Sequence, residues 1–282
     1  MTLVTRIAEA RATLVAAGIS VRDAGFDADR LASRVLGCDR AQLVTRLREE
    51  EPDGFAARFA SLVARRAARE PIAYILGERE FWAITFEVTP DVLIPRPETE
   101  LIVEEAIHLY RDRPPATIID VCTGSGCLAV ALATEFPLAS IIATDVSDAA
   151  LGVAHRNAAR HGVDGRIRFE RADLLTGIET RSPLIVCNPP YVRAGDAPGL
   201  MPEVTRFEPH VALFGGTDGL DVYRRLLPMA AARLAPDGRL LLEVGYDQDG
   251  RVADLASGQG WQLASARQDL QGITRALVFE RT

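Results

Sequence analysis

Apolar positions recur at helical spacing through the first seventy residues. Ile7, Ala10, Leu14 and Ala17 share one face, and Gly18 follows as a stop. Asp27 is placed to cap a second helix carrying Leu31 and Val35 and closed by Gly37. Pro52 suits the first turn of a third, with Phe55, Phe59, Leu62 and Val63 on one face and Pro71 at its end. The period then changes. Phe81, Trp82, Ile84, Phe86 and Val88, followed by Val92, Leu93 and Ile94, read as a short two-stranded element turning at Pro90-Asp91. Pro97 opens another helix through Leu101, Ile102, Ala106 and Leu109, and Arg111 to Pro115 form a polar joint.

Beyond that joint, strand and helix patterns alternate. Strands are predicted at 116–121, 139–144, 166–170, 183–187, 238–244, 261–267 and 274–280, with helices at 127–135, 148–161, 220–234 and 248–257. Such alternation over more than 150 residues specifies a mostly parallel sheet of seven strands with helices on both faces. The last two strands have no helix between them, so the sheet ends in an antiparallel hairpin. The chain is an α/β, Rossmann-like body behind a small N-terminal helical domain.

Charge and composition exclude several classes. The 282 residues carry 32 basic against 39 acidic groups, a net −7, and all 32 basic residues are arginine. A chain without lysine cannot form a Schiff base through its own side chain or supply a P-loop or kinase lysine. The acidic balance argues against a protein held mainly by nucleic-acid phosphates. No apolar run approaches the roughly 20 residues that cross a bilayer, and Arg6, Glu9 and Arg11 interrupt any signal-peptide core. Cys38, Cys122, Cys127 and Cys187 are too few to staple the chain and read as free thiols of a reducing cytoplasm. Their spacing matches no zinc site, and no metal is expected.

A nucleoside-type ligand is indicated at the first strand of the body. Ile118-Ile119-Asp120-Val121 runs into Cys122-Thr123-Gly124-Ser125-Gly126 and then a helix, a turn whose glycines allow close backbone approach to a ligand. Asp145, ending the second strand, faces the same crevice and can accept from a ribose diol. Asp173 and Leu174, after the third, stand on the base side. Gly124-Ser-Gly126-Cys-Leu-Ala129 with Asp145 also satisfies the dinucleotide fingerprint. The turn alone therefore leaves a nicotinamide-dependent oxidoreductase open.

The second motif is Asn188-Pro189-Pro190-Tyr191, directly after the apolar strand Leu184-Ile185-Val186-Cys187. Two prolines stiffen the turn and remove backbone donors, so the Asn188 carboxamide oxygen and the Pro189 carbonyl stand as acceptors without competing donors. Two acceptors suit a planar –NH2 group, and Tyr191 can pack flat against its plane. The plain alternative is a proline-stiffened loop. Their place on the edge that carries the glycine turn favours the functional reading.

In these motifs the chain resembles the S-adenosylmethionine-dependent class I methyltransferases, and within them the HemK-like release-factor glutamine N5-methyltransferases. The resemblance spans the helical head, Pro71-Ile-Ala-Tyr-Ile-Leu-Gly77, Phe81-Trp82, Leu93-Ile-Pro-Arg-Pro-Glu-Thr-Glu100, Asp120 to Gly126, Asn188 to Tyr191 and Glu208-Pro-His-Val-Ala-Leu-Phe-Gly-Gly216. It implies a substrate-recognition domain at 1–75, a β-hairpin linker at 76–95 and a methyltransferase domain at 96–282. It further implies S-adenosyl-L-methionine as cofactor, S-adenosyl-L-homocysteine as product, and peptide chain release factors as the protein substrate of a cytoplasmic monomer. Cys122, Thr123, Gly124, Ser125 and Gly126 would line the methionine portion, Asp145 the ribose, and Asp173 with Leu174 the adenine. Asn188 would touch cofactor and substrate, and Pro189, Pro190 and Tyr191 would complete the substrate pocket. Arg96 and Glu98 either shape that site or pair with each other. Cys122 stands where the family's first turn glycine would be, and Leu174 replaces an aromatic residue of some relatives. Asn-Pro-Pro-Tyr is shared with enzymes that methylate exocyclic amines of nucleic-acid bases, so that alternative stays open on the motif alone.

Overall fold

The computed structural model describes residues 1–282, and three of its helices, those opening after Ser20, Asp39 and Ser147, begin where a side chain satisfies a free backbone amide. In the first unit, α1 spans Leu3–Ala16 and α2 spans Val21–Leu36. The Ser20 hydroxyl caps α2 by accepting from the Asp23 amide at 3.1 Å, and Gly37 closes it in the left-handed region. α3 (Arg40–Arg46) opens with a reciprocal Asp39–Gln42 capping box, and α4 (Phe55–Ala67) and α5 (Ile72–Leu76) follow. Leu3, Ile7, Leu14, Leu31, Phe55 and Phe59 meet in one apolar core, with the two phenylalanine rings stacked at 5.1 Å.

The second unit begins with a hairpin, β1 (Glu78–Phe81) and β2 (Ile84–Glu87), whose turn is Trp82-Ala83 rather than Pro90-Asp91. Both turn residues have positive φ, 52° and 55°, as a two-residue hairpin of this hand requires. They lack the Asn-Gly signature that announces such a turn. Side-chain anchors hold it instead: the Trp82 amide donates to Glu100 at 2.8 Å and its indole N–H to Glu135 at 2.7 Å. Pro90-Asp91 forms a separate turn, closed by the Val92 amide on the Thr89 carbonyl. The hairpin's Phe81 and Phe86 pack edge to face within the core of the second unit.

The remaining elements are α6 (Glu100–Leu109), β3 (Thr117–Val121), α7 (Cys127–Glu135), β4 (Ser140–Asp145), α8 (Asp148–Arg160), β5 (Ile167–Arg171), β6 (Ser182–Cys187), α9 (Pro202–Phe207), α10 (Asp221–Arg233), β7 (Leu234–Glu243), α11 (Asp249–Ser257), β8 (Trp261–Gln268) and β9 (Thr274–Arg281). A 3-10 turn over Pro97–Thr99 leads into α6, as Pro97 predicts. The seven strands order as β5-β4-β3-β6-β7-β9-β8, parallel except for β9, which is antiparallel to both β7 and β8. This is the sheet and terminal hairpin that the alternation specifies. Each face of the sheet buries its own apolar layer.

The segment Met201–Phe207, which contains α9, groups with Met1–Gly77 in the first unit, although the sequence pattern assigns it to the body. Its Glu203 explains why. Asp27 is not a cap but an interior residue of α2, buried, and it accepts from Arg66 Nε at 2.7 Å. Arg66 Nη1 donates to Glu203 at 2.9 Å, and Arg69 holds the other Glu203 oxygen at 2.7 Å. Arg66, Asp27 and Glu203 are each less than a tenth exposed, so removing the guanidinium strands the Asp27 carboxylate away from water and leaves Glu203 with Arg69 alone. Arg66→Met is expected to destabilise the first unit by about 3 kcal/mol, read as lost amide-exchange protection in α2 and α4.

Candidate active site

Strand order locates the site. The chain runs outward from β3 through β4 to β5, then returns to β6 on the other side of β3. The loops leaving β3 and β6 therefore diverge, and a crevice opens between their carboxyl ends. Val121 pairs with Cys187 in the parallel register. Cys122 and Asn188, the next residue on each strand, thus start their loops side by side.

The loop after β3 is tightly built. Thr123 Oγ1 donates to Asp120 Oδ2 at 2.6 Å, and the Gly126 amide donates to the Thr123 carbonyl. Gly126 has φ +79°, and a Cβ there would lie 3.0 Å from that of Ala154, so glycine is required by conformation and by the approach of α8. Cys122 adopts φ +61°, the left-handed geometry a glycine would take. Its thiol packs half-buried against the core instead of altering the turn. Asp145 Oδ2 accepts from the Gly124 amide at 2.9 Å and Oδ1 from the Ser147 amide at 2.9 Å, which fixes the carboxylate over the turn.

The loop after β6 is clamped from several sides. Gln248 Nε2 donates to the Tyr191 carbonyl at 2.9 Å, and Val192 exchanges backbone hydrogen bonds with Leu213 and Gly215. A Cβ on Gly219, at φ +77°, would meet the Tyr191 carbonyl at 2.4 Å. Asn188 Nδ2 donates to Thr99 Oγ1 at 3.1 Å, which leaves Oδ1 as the remaining polar atom of the carboxamide.

One cavity of about 390 Å³ joins these loops. Cys122, Thr123, Gly124, Ser125, Asp145, Asp173, Leu174, Asn188 and Pro190 line it. Gly126, Pro189 and Tyr191 adjoin its lining residues along the chain, with Pro189 buried and the Tyr191 hydroxyl turned to Glu243 at 3.1 Å. The four histidines, His108, His155, His161 and His210, line no part of it. Sequence reading missed Arg225, which lines the cavity and ion-pairs with Asp173 from α10, 52 residues away. It also missed the partner of Arg96, which is Glu208 at 2.6 Å and not Glu98. Glu208 is almost fully buried and also accepts the Ile94 amide. Only its place in the family-like stretch Glu208 to Gly216 hinted at it.

Burial shapes the electrostatics. Asp120 is fully enclosed, its Oδ1 has no hydrogen-bond partner, and desolvation pushes its carboxyl up to about 7. Glu243 is buried to the same degree and is likewise pushed up to about 7, against the lowering effect of the Thr99 and Tyr191 hydroxyls. Burial also raises Asp145, and holds the Cys127 thiol up to about 12, far from a reactive thiolate.

Sheet order, glycine turn and asparagine–proline corner at one switch point define a class I methyltransferase fold. A 16S rRNA N2 G1207 methyltransferase from T. thermophilus, solved with AdoMet and guanosine, shares it with a TM-score of 0.54 at 18% identity, over 73% of this chain and 50% of that one. A family model of the PrmC N-terminal domain matches residues 6–77, and one of the methyltransferase small domain matches 99–202. The release factor glutamine methyltransferase of Cereibacter sphaeroides is 46% identical over 93% of this chain and 92% of its own length. That of Moorella thermoacetica is 42% identical over 100% and 99%. The chain belongs to the release factor glutamine methyltransferase family. Membership closes the nicotinamide alternative that the glycine turn left open.

Asp120 and Glu243 release their protons near pH 7 when folded, but near pH 4 in an unfolded chain. Their stabilising contribution is complete below that lower value and is lost as pH rises through about 7. Asp120→Asn should therefore flatten the decline in unfolding free energy between pH 5 and pH 8, measured by denaturant titration at each pH.

Proposed function

We propose that this chain methylates the side-chain amide nitrogen (N5) of the glutamine in the Gly-Gly-Gln motif of peptide chain release factors. The methyl group comes from S-adenosyl-L-methionine, and S-adenosyl-L-homocysteine is the product. The observation that carries the reading is the single cavity in which the glycine turn, Asp145 and Asn188 meet. The relatives' names supply the substrate.

The residues present suit the cofactor. The volume is that of a small-molecule site. A side chain at Gly124 would meet no protein atom within 4 Å and would take up cavity space, so the turn is a cradle. Each Asp145 oxygen accepts one backbone amide and keeps a lone pair for a ribose hydroxyl. Cys122, Thr123, Ser125 and Gly126 would hold the methionine portion with Gly124, and Asp173 and Leu174 the adenine. The bound cofactor supplies a methyl group on a positively charged sulfur, already activated for displacement.

What the chain adds is alignment. An amide nitrogen is a poor nucleophile because its lone pair is delocalised into the carbonyl. Asn188 Oδ1 and the Pro189 carbonyl accept both N–H groups of the substrate carboxamide, aim its nitrogen along the displacement axis and stabilise the positive charge that develops on it. Pro190 and Tyr191 complete this pocket. The nitrogen gains the methyl carbon and loses a proton to water, a step that needs no strong base. In this reading the enzyme acts as a cytoplasmic monomer without a nucleic-acid requirement, and residues 1–75 recognise the release factor.

Mass spectrometry of a purified release factor incubated with enzyme and S-adenosyl-L-methionine should show a gain of about 14 Da on the Gly-Gly-Gln glutamine, with a ribosomal RNA control unmodified. Asn188→Ala should lower kcat about 100-fold with little change in cofactor affinity; near-normal turnover would contradict the acceptor role. Asp145→Ala should raise the cofactor Kd by about tenfold or more, read by calorimetry.

A further inference from the structure

Glu243 has no task in the mechanism above, yet it is buried at the end of β7, beside the strand that leads to Asn188. Its oxygens accept from two hydroxyls: Thr99 Oγ1 on Oε2 at 2.6 Å and the Tyr191 phenol on Oε1 at 3.1 Å. A buried carboxylate costs several kcal/mol unless compensated. A neutral glutamine could fill the same space and bond the same hydroxyls, so packing does not explain the acid.

What an ionised carboxylate does that an amide cannot is accept only. Thr99 has one hydroxyl proton. Once ionised, Glu243 accepts that hydroxyl at 2.6 Å in a charge-assisted hydrogen bond, and Thr99 can then meet Asn188 only as an acceptor. The Asn188 group pointing at Thr99 must therefore be the NH2, and Oδ1 must face away from Thr99. Reversing Thr99 would turn the carboxamide over and present a donor to the substrate nitrogen, where two acceptors are needed. We infer that Glu243 and Thr99 are positioning residues that set the polarity of the Asn188 carboxamide through the relay Asn188–Thr99–Glu243. The inference rests on the amide-methylating function proposed above. Tyr191, held by the other Glu243 oxygen, ties the far end of the same corner to the same anchor.

The test compares Glu243→Gln, Thr99→Val, Thr99→Ser and the double Glu243→Gln/Thr99→Val variant with the wild-type enzyme, using a release factor as substrate. The readouts are kcat, the Kd for S-adenosyl-L-methionine and thermal melting. Each of the first two substitutions should lower kcat by about 10-fold or more with cofactor Kd within about threefold. Thr99→Ser, which keeps the hydroxyl, should retain at least about a third of kcat. The double variant should be no worse than the poorer single one, because both cut one relay. If Glu243→Gln fails to fold, the contrast between Thr99→Val and Thr99→Ser still decides. Equal kcat in those two, losses that multiply in the double variant, or losses confined to cofactor Kd would overturn the relay while an active wild type leaves the function standing. A wild type that modifies no release factor would overturn the function and the relay together.

Discussion

The parallel pairing of β3 with β6 is the constraint on which the site depends. Because Val121 lies opposite Cys187, the turn that receives a nucleoside and the corner that offers acceptors leave the sheet as immediate neighbours. Neither loop has to reach for the other. A slip of one residue in that register would turn every side chain of the strand to the opposite face and separate the two motifs. The apolar runs Ile118-Ile119 and Leu184-Ile185-Val186, buried on both faces, hold the register fixed.

Much of this was legible in the sequence, because the body is locally consistent. Strand and helix periods, glycine turn and proline corner all point to one topology, and the seven strands fall where the pattern predicts them. What escaped reading depends on partners distant along the chain. The Trp82-Ala83 turn carries no turn chemistry and is held by Glu100 and Glu135. Asp27 has the composition of a cap, yet its partner is Arg66, 39 residues on. Arg225 reaches the cavity from a helix whose period betrays only its buried face. Within the candidate site, the residue types were readable but not which of them line the cavity, as Asn188 and Pro190 do.

Cys122 illustrates how a family rule can be relaxed. A glycine is the easy choice at a positive φ, but one residue in the left-handed region costs only about 1–2 kcal/mol. Here the side chain packs against Val121, Cys187 and their neighbours in one apolar layer, which offsets part of that cost. Its φ of +61° lies in the region a glycine enters freely.

The grouping of Met201–Phe207 with the helical head carries a consequence for how such a chain can change over time. The polypeptide passes between the two units three times, after Gly77, after Leu200 and after Phe207, so the head is not a module attached by one linker. Genetic exchange at a single junction would set Glu203 against a foreign head in place of the one that supplies Arg66 and Arg69. Head and loop must be inherited together, and drift in one is answerable to the other.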